Sequence, residues 1–504
     1  MSILAFRHLE KIPSDQIPAV SIDAFRRDVL GAIAEGCRLV AFYGMPRANA
    51  AVRLVAVLAH DRSGELRAVA ADPGESYPAL APDCPQAAGF EREIAEQWGV
   101  QPRGHPWLKP LRFHRSYRPS RDAWGRTGPE SPPPSVLDFF RVEGEGIHEV
   151  AVGPVHAGII EPGHFRFQCH GEQVLHLEIS LGYQHRGVER ALVGGPHPRT
   201  IHHVETLAGD TTIGHALAYA QAVESLAGCR VPARAQALRA VALELERLAN
   251  HTGDLGALAG DVGYLPTSSF CGRLRGDFLN MTALLCGSRF GRGFVRPGGV
   301  AFDVDAALLA DLRGRLEATF RDVGGAVNLL WDTPSVMARF ENTGAVSPET
   351  AAALGLVGPA ARASGREIDV RRDFPSGIYR FAQLPVSAVA GGDVFARAYV
   401  RWLEIQRSVE FIRGQTASLP GGAVRAPCGP PAPDATVVSL QEGWRGEIAH
   451  VATTGADGRF ARYKVVDPSF RNWPGLALAL RNQEISDFPL CNKSFNLSYC
   501  GHDL

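Results

Sequence analysis

The stretch that most limits what this chain can become is "VPARAQALRAVALELERLANHTGDLGALAGD", residues 231 to 261. A proline stands in its first turn, and Leu238, Val241, Leu245, Leu248 and Thr252 recur at spacings of three and four, the period of one helix face. An alanine-rich helix of this length carries small side chains on most of its surface and packs closely on its neighbours. A helical bundle is therefore expected to form the body of the molecule.

The remaining pattern is organised around that body. Residues 1 to 118 alternate short apolar segments such as "CRLVAFYGM" and "VRLVAVLAHD" with the helix-like "AFRRDVLGAIAEG" and "GFEREIAEQWGV", which predicts a small α+β domain. The Pro, Ser and Gly content of residues 119 to 149 is that of a linker. A second domain spans 150 to 504. It opens with a β-hairpin, in which Phe165, Phe167 and Cys169 share a face and Leu175, Leu177, Ile179 and Leu181 alternate on the return. Further helices are expected at about 303–330 and 393–416, with a late hairpin in "EGWRGEIAHVATTGADGRFARYKVVD".

Composition removes several function classes. With 52 basic and 53 acidic residues the net charge is −1, so no global field attracts nucleic acid or anionic lipid. No leader is recognised, and no apolar run reaches the roughly 18 residues of a membrane span, so the chain is expected in the cytoplasm, with any membrane role exercised through partners. Nine cysteines without a Cys-x-x-Cys fit reduced thiols and give no set that closes around a cluster. Neither a dinucleotide fingerprint nor a phosphate loop is present.

In "VETLAGDTTIGHALAYAQAVES", residues 204 to 225, His215 and Tyr219 stand four apart on one helix face. By composition alone they are a capped helix with a partly buried His–Tyr pair. Together with "GPVHAGIIEPGHFRFQCHGEQVLHLEISLGYQHRGVER", "VRPGGV", "ASGREIDVRRDFP", "EGWRGE" and "YKVVDPSFRNWPGLALALRNQEISDFP", however, the segment resembles the large subunit of membrane-bound nickel–iron hydrogenases of the formate hydrogenlyase type. The same segments resemble the quinone-site subunit of respiratory complex I. Residues 90 to 113, "FEREIAEQWGVQPRGHPWLKPLRF", look like the small α+β subunit beside it in both assemblies. The fold implied is α+β: a small N-terminal α+β domain, then a mainly α-helical hydrogenase-large-subunit-like domain with β-hairpins in its early and late segments.

In those hydrogenases two Cys-x-x-Cys pairs hold the nickel–iron centre. The first pair maps onto Ala208 and Thr211, ahead of His215, and the second onto Ser498 and Gly501, with Cys500 one residue out of register and Cys491 upstream. None of the four supplies a thiolate, so the resemblance implies a chain that holds no metal and binds no cofactor itself.

By analogy with complex I, the cavity becomes a quinone site. Tyr219 and His164 are its expected catalytic contacts, and His215, Arg186, Glu189 and Arg445 surround it. His156 reads equally well as a strand cap and His164 as the partner of a buried backbone group, and Arg186, Glu189 and Arg445 read equally well as surface ion pairs. Glu244, Glu246 and Arg247 fit either a relay or an exposed helix face. The implied partners are a small subunit carrying iron–sulfur clusters and antiporter-like membrane subunits, and the implied location is peripheral, on the cytoplasmic side of the cell membrane. An active hydrogenase and a non-catalytic scaffold are the alternatives.

Overall fold

The computed structural model describes residues 2–126 and 132–504. It is the mixed α+β architecture that the sequence predicts. Near the N-terminus the strands Leu4–Arg7, Glu65–Ala71, Val52–His60 and Arg38–Pro46 lie side by side in that order, each antiparallel to its neighbour. Helices Ile22–Ala34 and Ala88–Trp98 cover this sheet through Phe25, Val29, Phe90 and Ile94. The first helix starts where the Ser21 side chain accepts the Ala24 N–H, satisfying one of the donors a helix start leaves free.

Ala88–Trp98 departs from the amphipathic helix its sequence suggests. Glu91, Glu93 and Glu96 are all buried, because each carboxylate has fixed partners. Glu91 accepts the N–H groups of Leu80 and Ala81, Glu96 those of Leu111, Arg112 and Phe113, and Glu93 meets Lys464 at 2.7 Å.

The early hairpin forms from His164–His170 and Gln173–Ser180, with Phe165 opposite Ile179 and Phe167 opposite Leu177, and Ile147–Val152 adds a third strand. Beyond it the long helix Ala233–Asp261 runs through the core. Leu265–Cys286 and Val394–Ala417 pack on it, and Ala306–Trp331 packs outside Leu265–Cys286. A Cβ at Gly256 would stand 2.7 Å from the Cβ of Cys271, so glycine there sets how closely the first two helices approach.

Glu244 and Arg247 are not on an exposed face. They belong to a buried network in which Arg247, Arg362 and Arg371 meet Glu244, Glu404, Glu442 and Asp369.

The late sheet joins the two ends of the chain. Its order is Phe460–Val466, Gly446–Thr454, Ala435–Gly443 and then the N-terminal strand Ile12–Pro13, which pairs with Ala435 and Thr436. Charged pairs reinforce the same seam: Arg38 binds Glu447, Arg112 binds Glu93, and Arg112 also donates to the His502 carbonyl at 2.9 Å.

Candidate functional site

Gly443 pairs with Gly446 in the late hairpin, which leaves Trp444 and Arg445 as its two-residue tip. The tip is aimed at the loop before helix Thr212–Ala227. Arg445 forms a two-pronged ion pair with Asp210, at 2.5 and 2.8 Å, and its guanidinium lies 3.9 Å from the centre of the Trp444 ring. The Trp444 indole donates to the Asp210 carbonyl and to Thr211 Oγ1, both at 3.1 Å. Burial raises the Asp210 carboxyl, but Arg445 outweighs it and holds the group below its ordinary range. The start of the helix is held from the other side by Glu246, which accepts the N–H groups of Ile213 and Gly214.

One turn into that helix, His215 begins a chain of buried hydrogen bonds. His215 Nε2 lies 3.0 Å from Asp467 Oδ2, His215 Nδ1 lies 3.1 Å from His450 Nε2, and His450 Nδ1 lies 2.8 Å from the Tyr463 hydroxyl. With Asp467 ionised and neither ring charged, one arrangement of protons satisfies every atom. Tyr463 donates to His450, His450 to His215, and His215 to Asp467, with both imidazoles neutral.

Burial is the main reason that His450 stays well below the ordinary histidine value, and the neighbouring His215 ring acts in the same direction. A neutral buried histidine stabilises the fold fully above its unfolded value of about 6.5, and the contribution is lost as pH falls below that value. The stability difference between the native chain and His450→Phe should therefore shrink by about 1.4 kcal/mol per pH unit below about 6.5. Denaturant titrations at pH 7, 6 and 5 measure it, and a constant difference would contradict the neutral assignment.

Asp467 also caps the helix Pro468–Ala479 by accepting the Ser469 N–H at 2.7 Å. Its carboxylate lies against Gly501, where an added Cβ would come within 2.7–2.9 Å of the carboxyl atoms. The C-terminal segment closes over the same place. Ser498 Oγ accepts the Gly501 N–H at 3.0 Å and lies 3.3 Å from Cys500 Sγ, and Tyr499 N–H donates to Glu161 at 3.0 Å. The Arg445 Nε donates to the Asn496 carbonyl, which ties this segment to the hairpin tip. Burial pushes the Cys500 and Cys491 thiols up to about 12, and Cys491 packs beside Gly344 rather than at the site.

Of the residues singled out in the sequence, His215 and Arg445 converge here, beside Thr211, Ser498 and Gly501. Tyr219 lies one turn deeper, buried between Phe460 and Tyr463. His164 sits on the early hairpin, where Nδ1 donates to the Gly153 carbonyl and Nε2 accepts from Arg166, so the chain itself occupies both nitrogens. These two residues share no partner. His156 donates to the Gly163 carbonyl at 2.8 Å.

Exposed Arg186 donates to the carbonyls of Thr206 and Leu207, while Glu189 is buried against Lys464 and Arg462. The sequence does not single out Glu161, Asp210, His450 or Tyr463, and Glu246, read there as a relay or an exposed-face residue, is buried against the start of the helix. For His450 there was a signal, a histidine on the inward face of the buried strand "GEIAHVATT".

Comparison with known proteins agrees with this architecture. Residues 261–432 match the family described as respiratory-chain NADH dehydrogenase, 49 Kd subunit. The chain is 30% identical to formate hydrogenlyase subunit 5 of Escherichia coli, covering 84% of this chain and 76% of that one. It is 32% identical to the carbon monoxide-induced hydrogenase of Rhodospirillum rubrum, over 69% and 97% of the two chains. It is 30% identical to NADH-quinone oxidoreductase subunit 4 of Thermus thermophilus, over 71% and 94%. Among the described residues no helix is long and apolar enough to cross a membrane. The chain belongs to the family that unites hydrogenase large subunits with the 49 Kd subunit of respiratory-chain NADH dehydrogenase, as a member of a complex I-like or hydrogenase-related assembly.

Proposed function

We propose that this chain is the nickel-free large subunit of a membrane-associated oxidoreductase, passing electrons from an iron–sulfur partner subunit to a quinone-type acceptor at the former nickel position. One observation carries the reading. The positions equivalent to the four thiolates hold a methyl group, two hydroxyls and no side chain, and the Asp467 carboxylate fills the space into which a side chain at 501 would project. Hydroxyls and a carboxylate bonded to histidine are a poor donor set for a soft metal centre but a good one for moving protons.

Reducing a quinone takes two electrons and two protons. Asp210, with 31% of its side chain exposed, opens the site to its surroundings. Beyond the N–H groups given to Asp210, Asn496 and Thr211, Arg445 has one Nη2 N–H left for a carbonyl oxygen, and Asp467 with His215 lies behind it as a proton-holding pair. Tyr219 and His164 take no direct part in this arrangement, because Tyr219 is buried one turn deeper and both His164 nitrogens are engaged elsewhere. The loop that leads to Glu161 exposes Val155 and Ile159 at 77% and 85%, an apolar rim suited to the iron–sulfur partner. Antiporter-like membrane subunits would complete a complex on the cytoplasmic side of the cell membrane.

The test is quinone reduction by the intact purified complex, with nickel analysis of the same sample. Arg445→Gln should lower turnover at least tenfold with assembly unchanged, Tyr219→Phe should leave it near the native rate, and nickel should fall well below one per chain. A stoichiometric nickel content would overturn the reading. So would a complex that reduces no quinone. That second result would favour a non-catalytic coupling subunit, a reading supported by the mutual pairing of Arg445 with Asp210 and of His215 with Asp467.

A further inference from the structure

Two clefts open side by side where the N-terminal residues meet the stretch 372–381. The first has a volume of about 660 Å³ and the second about 490 Å³, and they share Arg380. Arg7 and His8 line the first and Leu9 the second, so the two form one groove along the junction of the N-terminal part with the rest of the chain. The turn 61–64, between the strands Val52–His60 and Glu65–Ala71, closes its first end. Gly64 makes that approach possible, because its φ is +61° and a Cβ there would stand 2.8 Å from the Asp373 carbonyl oxygen. Arg7 holds the turn by donating to the Ser63 and Gly64 carbonyls at 3.0 and 3.3 Å.

The groove is one-sided in charge. Arg7, Arg62 and Arg380 in the first cleft and Arg230 in the second are exposed, and none meets a carboxylate at ion-pair distance among the described residues. The acidic groups around them are committed. Asp61 accepts from Arg38 at 2.9 Å, Asp373 from Arg372 at 2.7 Å and Glu224 from Arg239 at 3.1 Å, while Glu10 accepts the main-chain N–H of Arg7 at 2.7 Å. Arg380 gives only its Nε, to the Pro375 carbonyl at 3.3 Å, which leaves its terminal N–H groups for a ligand.

The placing of these charges selects the ligand. A single phosphate is held by donors that converge on one point, whereas these four arginines are spread along two clefts on separate stretches of chain. Apolar surface lies between them: Phe374 in the wall of the first cleft, and Phe381, 84% exposed, beside the second. An extended peptide rises about 3.3 Å per residue and can set a carboxylate against each guanidinium in a two-pronged pair. The chain is a member of a multi-subunit assembly, so such a segment has a source in its neighbours.

We infer that this groove receives an extended acidic segment of a partner subunit. The segment lies across the junction, with carboxylates on Arg62, Arg7, Arg380 and Arg230 and an apolar side chain against Phe381. The inference does not depend on the redox reading, because it requires only that the chain has partners.

Fluorescence anisotropy of a fluorescein-labelled peptide of alternating Glu and Ala, titrated with the full chain, tests the chemistry. Saturable binding of one peptide per chain is expected at about 0.05 M salt, weakening severalfold at about 0.3 M. Arg62→Glu and Arg380→Glu should each weaken it about tenfold or more, while Arg321→Glu, an exposed position on the helix Ala306–Trp331 outside both clefts, should bind as the native chain does. Absence of saturable binding, equal weakening by Arg321→Glu, or displacement of the peptide by ATP at lower concentration than by unlabelled peptide would each overturn the inference. The purified complex supplies the second measurement. A cysteine introduced by Ser63→Cys, exposed in the first cleft, should react with a maleimide in the free chain and be protected at least tenfold in the complex, as read by mass spectrometry of its peptide. Equal labelling in both would overturn the assignment to a partner subunit.

Discussion

Glu189→Ala should cost about 3–5 kcal/mol of stability, the price of stranding buried cations without their carboxylate. Glu189 is 1% exposed and accepts from Lys464 Nζ at 2.9 Å, Arg462 Nη2 at 2.9 Å and the Val465 N–H at 3.0 Å. Glu93 shares Lys464 with it and also binds Arg112, so two carboxylates face three cations, and deleting one leaves two positive charges in excess. Burial raises the Glu189 carboxyl, but Lys464, Arg462 and Arg112 outweigh it and hold the group far below its ordinary range. The stabilisation it gives is present above the unfolded value of about 4.3 and is lost on acidification below it. Denaturant titration at pH 7 measures the loss. A variant of native stability with an altered pH profile of turnover would instead make Glu189 a proton carrier.

The second large effect is expected at Gly501. A methyl group there would have to displace the Asp467 carboxylate, which also accepts from His215 and caps the helix behind it, so Gly501→Ala should cost about 1–3 kcal/mol. Asp467→Ala should be destabilising alone and should cancel much of the Gly501→Ala penalty, giving a coupling of roughly 1 kcal/mol or more in a double-mutant cycle. Additive losses would mean that the two residues do not compete for space. The same crowding predicts that four restored cysteines, at 208, 211, 498 and 501, will not bring back stoichiometric nickel while Asp467 remains.

The regular elements were legible because their periodicity is strong. The Ala-rich helix, the hairpin carrying Phe165 and Phe167, and the helices near 303–330 and 393–416 all form. Leu265–Cys286 was missed because "LPTSSFCGRLRGDFLNMTALLC" is rich in Ser, Gly and Thr, weak helix formers that hold a helix here by fitting against the small-residue face of the long one. Buried charge was the harder problem. Glu93, Glu189, Glu244 and Arg247 look like surface residues in one dimension, since Lys464, Arg371 and Glu404, with which they pair, lie far away in sequence. The contact of Asp467 with His215 spans 252 residues and has no local signature.

The strand Ile12–Pro13 pairs with Ala435 and Thr436, and Ser14 meets Thr436 across 422 residues of sequence. On a ribosome adding roughly 5–20 residues per second, that edge waits about 20–80 s for its partner. The N-terminal part therefore leaves the exit tunnel with its own sheet formed but with an edge strand that has no sheet to join. Loop closure over such a separation makes this a late event in folding, which puts the seam between the two ends of the chain among the last features the newborn chain acquires.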